Sequence, residues 1–289
     1  MRYKKVQGYR DNDKLRNSFN ELAKKTFGID FTEWYSNGFW GDKYIPYSLV
    51  DGDRVIANVS VNLMSFDMEG VKKNYIQLGT VMTDKAYGGQ GLSRQLMEDI
   101  IHEYNNKTEG IYLFANDSVL DFYPRFGFVK SLEYQYSKSV DFEGSIKTAK
   151  HMDMGDITNR NCLINAAENS ISNDRFTMDN TGLIAFYVTG FMRDAVYYIA
   201  EEDTYVIAEV EKENVFIHQI IASHKVDLNN VMRSFGSEIK KLTLGFPPIE
   251  DNGYDVQQLQ EEDCTLFTLG KDLEVIEKKK LRFPTLSHA

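Results

Sequence analysis

The pattern of apolar residues between positions 75 and 104 changes from that of a buried strand to that of an amphipathic helix. Residues 75–83 are mostly apolar, as in a strand inside a sheet. The apolar residues beyond the next loop recur at four-residue steps and would share one buried helix face: Leu92, Leu96, Ile100 and Tyr104. We therefore predict a strand that leads through residues 84–90 into a helix beginning near Gly91.

Three near-adjacent glycines, Gly88, Gly89 and Gly91, occupy the connection between this strand and this helix. Glycine has no Cβ, so the backbone can turn tightly and approach a ligand closely. The free N–H groups at a helix start, together with the helix dipole, can then hold an anion such as a phosphate. A simple strand-to-helix turn would place glycines in the same way, and glycine spacing by itself does not separate the two interpretations.

A second motif follows in residues 111–128. The apolar run of residues 111–115 predicts a short buried strand, and the next three residues, Asn116-Asp117-Ser118, are a helix-capping cluster. Residues 120–123 form one predicted helical turn that carries Tyr123 and is stopped by the Pro124–Gly127 region. A strand thus leads into a short helix with a tyrosine, about thirty residues after the glycine loop.

This order of elements, ending in Gly127-Phe128, resembles the GNAT family of acetyl-CoA-dependent N-acetyltransferases over about residues 47–136. In that family the loop usually reads Arg or Gln, two residues, Gly, one residue, then Gly or Ala. Residues 88–93 read GGQGLS, so the first and last positions depart from the pattern. Arg94 and Lys85 are the nearby cations that could replace the missing arginine at a pyrophosphate.

The resemblance implies acetyl-CoA as cosubstrate, no metal ion, and direct attack of a primary amine on the thioester in a ternary complex. Backbone N–H groups of Val81 and Thr83 would polarise the thioester oxygen. Tyr123 would be the general acid that protonates the departing thiolate, unless it is only a packed helix residue. Asn116 could contact the cofactor or simply cap a helix. The implied cofactor-binding residues are Val81, Met82, Thr83, Gly88, Gly89, Gln90, Gly91, Leu92, Ser93, Arg94 and Asn116.

A competing hypothesis is a non-catalytic, regulatory module that binds acetyl-CoA without transferring the acetyl group. The missing loop arginine favours this alternative, whereas Tyr123 favours the enzyme. Acetyl-CoA binding without turnover would distinguish the module from the transferase.

The segment before the glycine loop predicts a helix over residues 15–27 and a hairpin turning at Asp51-Gly52. Residues 55–63 alternate, with Asn58, Ser60 and Asn62 on one face of the strand. In the resembling family this region borders the acceptor cleft. The implied acceptor-binding residues are Trp34, Tyr35, Trp40, Asn58 and Asn62. The alternatives are that the aromatic residues are ordinary core and that the polar stripe merely faces water.

The second half has no glycine-rich loop, but its elements follow a similar order. Residues 203–222 predict two paired strands, residues 226–235 a short helix, and residues 239–244 and 264–269 further strands. We predict an α+β fold, with a GNAT-like mixed central sheet flanked by helices in residues 1–145 and a degenerate GNAT-like domain in residues 146–289. An unrelated α+β domain would explain the second pattern as well.

Two GNAT-like units with a silent second copy resemble the enhanced-intracellular-survival type of acetyltransferase, although this chain is too short for the third domain of those enzymes. Aminoglycosides are therefore one possible acceptor. In such enzymes the terminal carboxylate enters the active site. By that resemblance, the carboxylate of Ala289 or the ring of His288 would accept the amine proton; a water relay is the alternative, because chain termini are usually frayed.

The formal net charge of −10 argues against a nucleic-acid or anionic-membrane surface. It suits a cationic amine acceptor, but many proteins are acidic for solubility alone. The two cysteines, Cys162 and Cys264, lie far apart, and neither they nor the histidines form a metal-binding motif. No secretory or membrane segment is predicted, so we expect a cytoplasmic protein. The partner is a small-molecule or peptide amine whose identity stays open, as does the oligomeric state.

Overall fold

The computed structural model describes residues 3–288, which form two mixed β-sheets with helices packed on them. The helices are α1 (Asp13–Phe27), α2 (Thr32–Ser36), α3 (Leu92–Tyr104), α4 (Ile157–Glu168), α5 (Thr181–Thr189), α6 (Leu228–Arg233) and α7 (Glu274–Lys278). The strands are β1 (Lys4–Gln7), β2 (Tyr44–Asp51), β3 (Arg54–Met68), β4 (Val71–Thr83), β5 (Ile111–Ala115), β6 (Val129–Lys130), β7 (Tyr134–Ser139), β8 (Lys150–His151), β9 (Phe176–Met178), β10 (Val196–Ile199), β11 (Thr204–Glu211), β12 (Asn214–Ile221), β13 (Lys241–Leu244), β14 (Asp255–Gln258) and β15 (Thr265–Leu269).

The first sheet has the strand order β1-β2-β3-β4-β5-β15-β6, and β9 pairs with the far end of β3. One face of this sheet packs on α3 through the apolar side chains predicted to be buried there, Leu92, Leu96 and Ile100. The other face packs on α1 and α2 through an aromatic cluster. The sheet is therefore covered on both sides, as an α+β fold with flanking helices requires.

The second sheet repeats this arrangement, with the order β8-β10-β11-β12-β13-β7-β14. Each sheet contains a central parallel pair, β4–β5 in the first and β12–β13 in the second, and in each a helix connects the two paired strands. The neighbouring pairs are antiparallel. The strands predicted over residues 203–222 and 239–244 are present in this sheet, with α6 in the place of α3. The strand predicted over residues 264–269 lies in the first sheet instead, as β15.

Each sheet contains strands from both halves of the chain, and the short β9 of the second half already pairs with β3 of the first sheet. β7, from the first half of the chain, lies between β13 and β14, whereas β15, from the second half, lies between β5 and β6. The predicted division at residue 145 separates most of the two units along the chain, but β7, β9 and β15 each lie in the sheet of the other half. The boundary itself stays a prediction.

The end of the chain is buried between the two halves. Phe283 stacks on Tyr112 of β5 with ring centroids 4.0 Å apart, and Arg282, Phe283 and Leu286 are fully buried. Tyr112 donates a hydrogen bond of 3.5 Å to the carbonyl of Ser287. The tail (residues 281–288) is therefore part of the core of the described structure.

Local patterns predicted the element positions well. The helix predicted over residues 15–27 is α1, and the turn at Asp51-Gly52 joins β2 and β3. One detail differs, because a β-bulge between Val55 and Ala57 puts Val55 on the aromatic face and Ala57 on the α3 face. In residues 3–288 no helix is long and apolar enough to cross a membrane.

Candidate active site

A cleft opens in the first sheet where the parallel strands β4 and β5 separate. They pair at Ile76 with Ile111 and at Gln77 with Tyr112, and they diverge beyond these positions. The gap is continuous with a cleft of about 620 Å³. Small-molecule sites usually have volumes of about 300–1,000 Å³. Its lining comprises Thr26, Phe27, Ile29, Leu78, Gly79, Thr80, Val81, Thr83, Ser93, Phe114, Asn116, Ser118, Val119, Phe122 and Tyr123.

A β-bulge in β4 shapes one wall of this cleft. Asn58 of β3 is opposite Met82 and Ser60 is opposite Gly79, so β4 carries one residue more than β3 over this interval. Thr80 has φ of 43°, a left-handed conformation that is uncommon for a β-branched residue. A bulge leaves its extra residue out of the regular ladder and re-aims the backbone beside it. Thr80 and Val81, which lie between the paired positions Gly79 and Met82, both line the cleft.

Tyr123 closes the opposite wall. The residue is only 5% exposed and packs against Phe128 and Phe267, with centroid distances of 6.3 and 5.7 Å. Burial raises the pKa of the Tyr123 hydroxyl to about 12. The phenol therefore stays protonated at neutral pH and can donate a proton to a leaving group formed in the cleft.

The glycine loop turns the chain from β4 into α3. Gly89 and Gly91 both have φ of 74°, which glycine adopts without steric cost. Gly91 is the N-cap of α3 and supplies no side-chain hydrogen bond to the helix. The first N–H groups of α3 are therefore uncapped by a side chain, and this is the arrangement that binds anions at helix starts.

The predicted cofactor residues fall into three groups. Val81, Thr83, Ser93 and Asn116 line the cleft together with Tyr123. The loop residues 88–91 lie at the entrance to α3, beside an exposed Arg94. Met82 and Leu92 are core residues instead: Met82 belongs to the aromatic cluster under α1, and Leu92 packs between α3 and the sheet.

The predicted acceptor aromatics are packed residues. Trp34 and Trp40 are buried and stack with centroids 5.5 Å apart, and the Trp34 indole N–H donates to the Gly182 carbonyl at 2.8 Å. Tyr35 is covered by the Arg16 guanidinium at 3.7 Å. Trp34 also borders a second cleft of about 520 Å³ between the two halves, together with Asn62 and the start of α5.

The polar stripe of β3 does not face water. Asn58 and Ser60 are completely buried, and Asn62 is 2% exposed, under the layer formed by α1 and the aromatic cluster. Asn58 accepts a hydrogen bond from Ser48 at 2.8 Å and donates to the Thr80 carbonyl at 3.0 Å. Its polar atoms are therefore engaged within the protein.

The end of the tail reaches the cleft wall. The His288 ring stacks on Phe114, which lines the cleft, with centroids 3.7 Å apart, and its Nδ1 lies 3.6 Å from the Cys264 thiol. Burial and the positive charge of Arg282 lower the pKa of His288 to about 3, so the ring is neutral at pH 7. Ala289, the other predicted base, lies outside the described residues.

Sequence reasoning missed Thr80 and Phe114, which both line the cleft. The available signal for Thr80 was Gly79 inside a strand pattern, since an isolated glycine in a strand often marks a bulge. Phe114 sits in an ordinary apolar run and carried no such signal. In the part of the chain from residue 3 to 288, no cluster of three or more His, Cys, Asp or Glu side chains could hold a metal ion.

The first sheet thus combines separated parallel strands, a helix start without a side-chain cap and a buried tyrosine around one cleft. Residues 55–143 match the model of the acetyltransferase (GNAT) domain. This part of the chain is therefore a GNAT acetyltransferase domain, and the enzyme class that the match supports is an acetyltransferase. A search of curated proteins found no match to the sequence.

Solved structures extend the fold over nearly the whole chain. A probable N-acyltransferase from Enterococcus faecalis superposes with a TM-score of 0.58 at 13% identity, covering 95% of this chain and 74% of that one. Eis1 from Mycobacterium abscessus gives 0.55 at 11% identity, with 91% and 72% covered. A GCN5-related N-acetyltransferase from Kribbella flavida gives 0.54 at 12%, with 92% and 71% covered. At such identities the likeness is one of fold.

Proposed function

We propose that the protein is an N-acetyltransferase that moves an acetyl group from acetyl-CoA to a primary amine in a ternary complex. The observation that carries this proposal is the position of Tyr123. A protonated phenol with a pKa of about 12 lines the cleft between the separated strands of a GNAT domain. GNAT domains bind an acyl-CoA; the acetyl group and the roles of the individual residues are our proposal.

The cofactor would lie along the cleft, with its pyrophosphate at the start of α3 and its pantetheine between β4 and β5. The uncapped N–H groups after Gly91 favour a phosphate group. The exposed Arg94 and Lys85 would add positive charge beside it. Ser93 and Asn116, which both line the cleft, would contact the cofactor between its two ends.

The neutral amine nitrogen would attack the thioester carbonyl carbon, and the carbon–sulfur bond would then break. Backbone N–H groups at Val81 and Thr83 would stabilise the negative oxygen that forms at the carbonyl. The CoA thiolate leaves with the electron pair and takes a proton from Tyr123. The amine nitrogen loses one proton to the general base as the amide forms. The solvent then returns a proton to Tyr123, so that the products are the amide and the CoA thiol.

The general base is the terminal carboxylate of Ala289 or the ring of His288. The burial of the tail and the stacking of His288 on Phe114 support a base delivered by the chain end. A pKa of about 3 makes the His288 ring a weak base, and a terminal carboxyl group has an ordinary pKa of about 3.3–3.7, so basicity does not choose between the two. Deleting Ser287–Ala289 should lower turnover and leave acetyl-CoA affinity nearly unchanged. Unaltered turnover would rule this role out.

The acceptor is proposed as a small-molecule or peptide amine. Amines are cationic in water, and the net charge of −10 would attract them. Trp34 and Asn62 border the second cleft, where Glu168 and Asp179 are also present. This cleft is the proposed approach of the acceptor, and Trp34, Tyr35, Trp40, Asn58 and Asn62 would shape it directly or through packing.

The test is acetyl-CoA turnover, measured by thiol release, against a panel of primary amines. Tyr123→Phe should lower kcat by about 100-fold or more, since general acid catalysis contributes about 10²–10⁴-fold. Tyr254→Phe is the matched control, because burial also raises the pKa of Tyr254 to about 12 but this residue lies in the second sheet's region. Acetyl-CoA binding with no turnover on any amine would contradict the proposal and indicate a binding module.

A further inference from the structure

A continuous network of buried side-chain hydrogen bonds ends at the bulge of β4. Tyr9 bonds Ser48 at 2.6 Å, and Ser48 donates to the Asn58 side-chain oxygen at 2.8 Å. The Asn58 amide donates to Ser60 at 2.9 Å and to the Thr80 carbonyl at 3.0 Å. These residues are buried, apart from the partly exposed Thr80. The network therefore runs from the strand edge at Tyr9 to the wall of the cleft.

Thr80 is held by its hydroxyl as well as by its carbonyl. Its Oγ1 donates to Ser60 at 2.6 Å and pairs with the Tyr44 hydroxyl at 2.8 Å. Burial raises the pKa of the Tyr44 phenol well above its ordinary value, so its proton remains available for this bond. Three side chains from β2 and β3 thus hold the hydroxyl and the carbonyl of Thr80.

The bulge needs such support for two physical reasons. A β-branched residue at φ of 43° is strained, and such a conformation persists only where the surroundings over-determine it. The extra residue of a bulge also lies outside the regular ladder, so its carbonyl requires another donor. The Asn58 amide supplies that donor at Thr80.

We propose that Asn58 and Thr80 are positioning residues, which hold the bulge so that the Val81 backbone N–H points at the acyl carbonyl of the bound donor. This inference rests on the proposed function, because the acyl carbonyl is that of acetyl-CoA. It gives the buried stripe of β3 a role in orienting the donor through the backbone of β4. A displacement of about 1 Å at such a group can lower a rate by about 100-fold.

The proposal separates binding of the acetyl group from binding of the rest of CoA. CoA lacks the acetyl carbonyl and cannot use the Val81 N–H, whereas acetyl-CoA can. Loss of the network should therefore weaken acetyl-CoA binding relative to CoA and lower kcat, with little change in the KM for the amine.

The experiment compares Asn58→Ala and Thr80→Val with Thr204→Val. The last is the matched control, because Thr204 is fully buried, donates to the Ile221 carbonyl at 3.1 Å and belongs to the second sheet. Calorimetry with acetyl-CoA and CoA, and steady-state kinetics, are measured for each variant, and thermal unfolding establishes that each is folded. Thr80→Val preserves shape and keeps the test valid if Asn58→Ala does not fold.

We expect Asn58→Ala and Thr80→Val to lose the wild-type preference for acetyl-CoA over CoA and to lower kcat about 10- to 100-fold. Thr204→Val should keep both. An unchanged acetyl-CoA preference and kcat in a folded Thr80→Val variant would overturn the inference while leaving the proposed function intact. Failure of the wild-type protein to bind acetyl-CoA would overturn both.

Discussion

The two sheets share a strand order but differ at the start of the helix that follows the central strand. In the first sheet, α3 begins after Gly91, which has no side chain to cap the helix. In the second, α6 begins after Asp227, whose carboxylate accepts a hydrogen bond from the Asn229 N–H. An uncapped helix start favours a phosphate, whereas a capping carboxylate already satisfies the donors and repels an anion.

The central parallel strands are also more widely separated in the first sheet than in the second. β4 and β5 pair at two positions and then separate, whereas β12 and β13 pair at four positions, from Asn214 to Ile217. Beyond them the Gly245 N–H still donates to the Ile217 carbonyl at 2.7 Å. The tail then covers this end of the pair, where the Thr285 N–H donates to the Gly245 carbonyl at 3.0 Å.

Both central strands carry a bulge, so topology and bulge do not by themselves produce an open site. In β12 the extra residue is His218, opposite the interval between Ile207 and Ala208. His218 is 6% exposed and lies beneath the tail end of the molecule, whereas Thr80 borders an open cleft. On the proposed function, the helix cap and the chain's own tail would leave only the first copy open to the donor.

The largest effect is expected from giving α3 the cap that α6 has. Gly91→Asp should raise the Kd for acetyl-CoA about 30- to 100-fold, because its carboxylate would bond the helix N–H groups and repel the pyrophosphate. Calorimetric titration measures the change. Gly91→Asn is the matched control, since asparagine also tolerates the left-handed φ of 74° but has no charge. Equal losses for both variants would show that the effect is steric.

Gly245→Ala should displace the tail from the second sheet. We expect the free energy of unfolding to fall by about 1–3 kcal/mol, because the added methyl group overpacks a filled site. A Cβ on Gly245 would collide with the Thr285 hydroxyl and approach the His218 Cα to 3.1 Å. Denaturant unfolding of Gly245→Ala measures the loss. Gly41→Ala is the control for stability, as nothing lies within 4 Å of its Cβ position.

The thiol of Cys264 reports tail docking in the same variant. It lies 3.6 Å from the His288 ring, and burial raises its pKa to about 12. Gly245→Ala should therefore speed labelling of Cys264, while the exposed Cys162 reacts as in the wild type. Unchanged labelling of Cys264 together with unchanged stability would contradict the account of the tail.

The buried histidine of the second sheet, His218, should make the stability of the protein depend on pH. Burial and the charge of Arg282 lower the pKa of His218 to about 4, although the Glu209 carboxylate lies 3.5 Å away. Below pH 6.5 the unfolded chain binds a proton at His218 that the folded protein refuses, so stability falls as pH falls towards 4. Between pH 6.5 and 4.5, the free energy of unfolding of His218→Leu should fall by about 2 kcal/mol less than that of the wild type. Parallel pH profiles of the two proteins would argue against this burial effect.

The sequence was sufficient for the local elements and for the glycine loop, because periodicity and glycine position are local signals. Leu92, Leu96 and Ile100 face the core as their spacing predicted. The exchange of β7 and β15 could not be read in this way, since an antiparallel strand carries the same pattern whichever sheet it joins. Both strands follow short connections that give no indication of the partner.

The candidate site was only partly predictable for the same reason. Tyr123, Val81 and Asn116 came from motifs, and the structure brings them to one cleft. Thr80 and Asn58 depend on the bulge, which is a property of the pairing between β3 and β4 and not of either strand. The alternation of Asn58, Ser60 and Asn62 suggested either a cleft wall or a wet face. Asn62 borders the second cleft, whereas Asn58 and Ser60 are completely buried.

The most direct test of the account is the number of acetyl-CoA molecules that one chain binds. The open start of α3 and the capped start of α6 predict one site per chain in a calorimetric titration of the wild-type protein. Two equivalents would contradict the closure of the second copy, and no binding would contradict the assignment of the cleft between β4 and β5 to the donor.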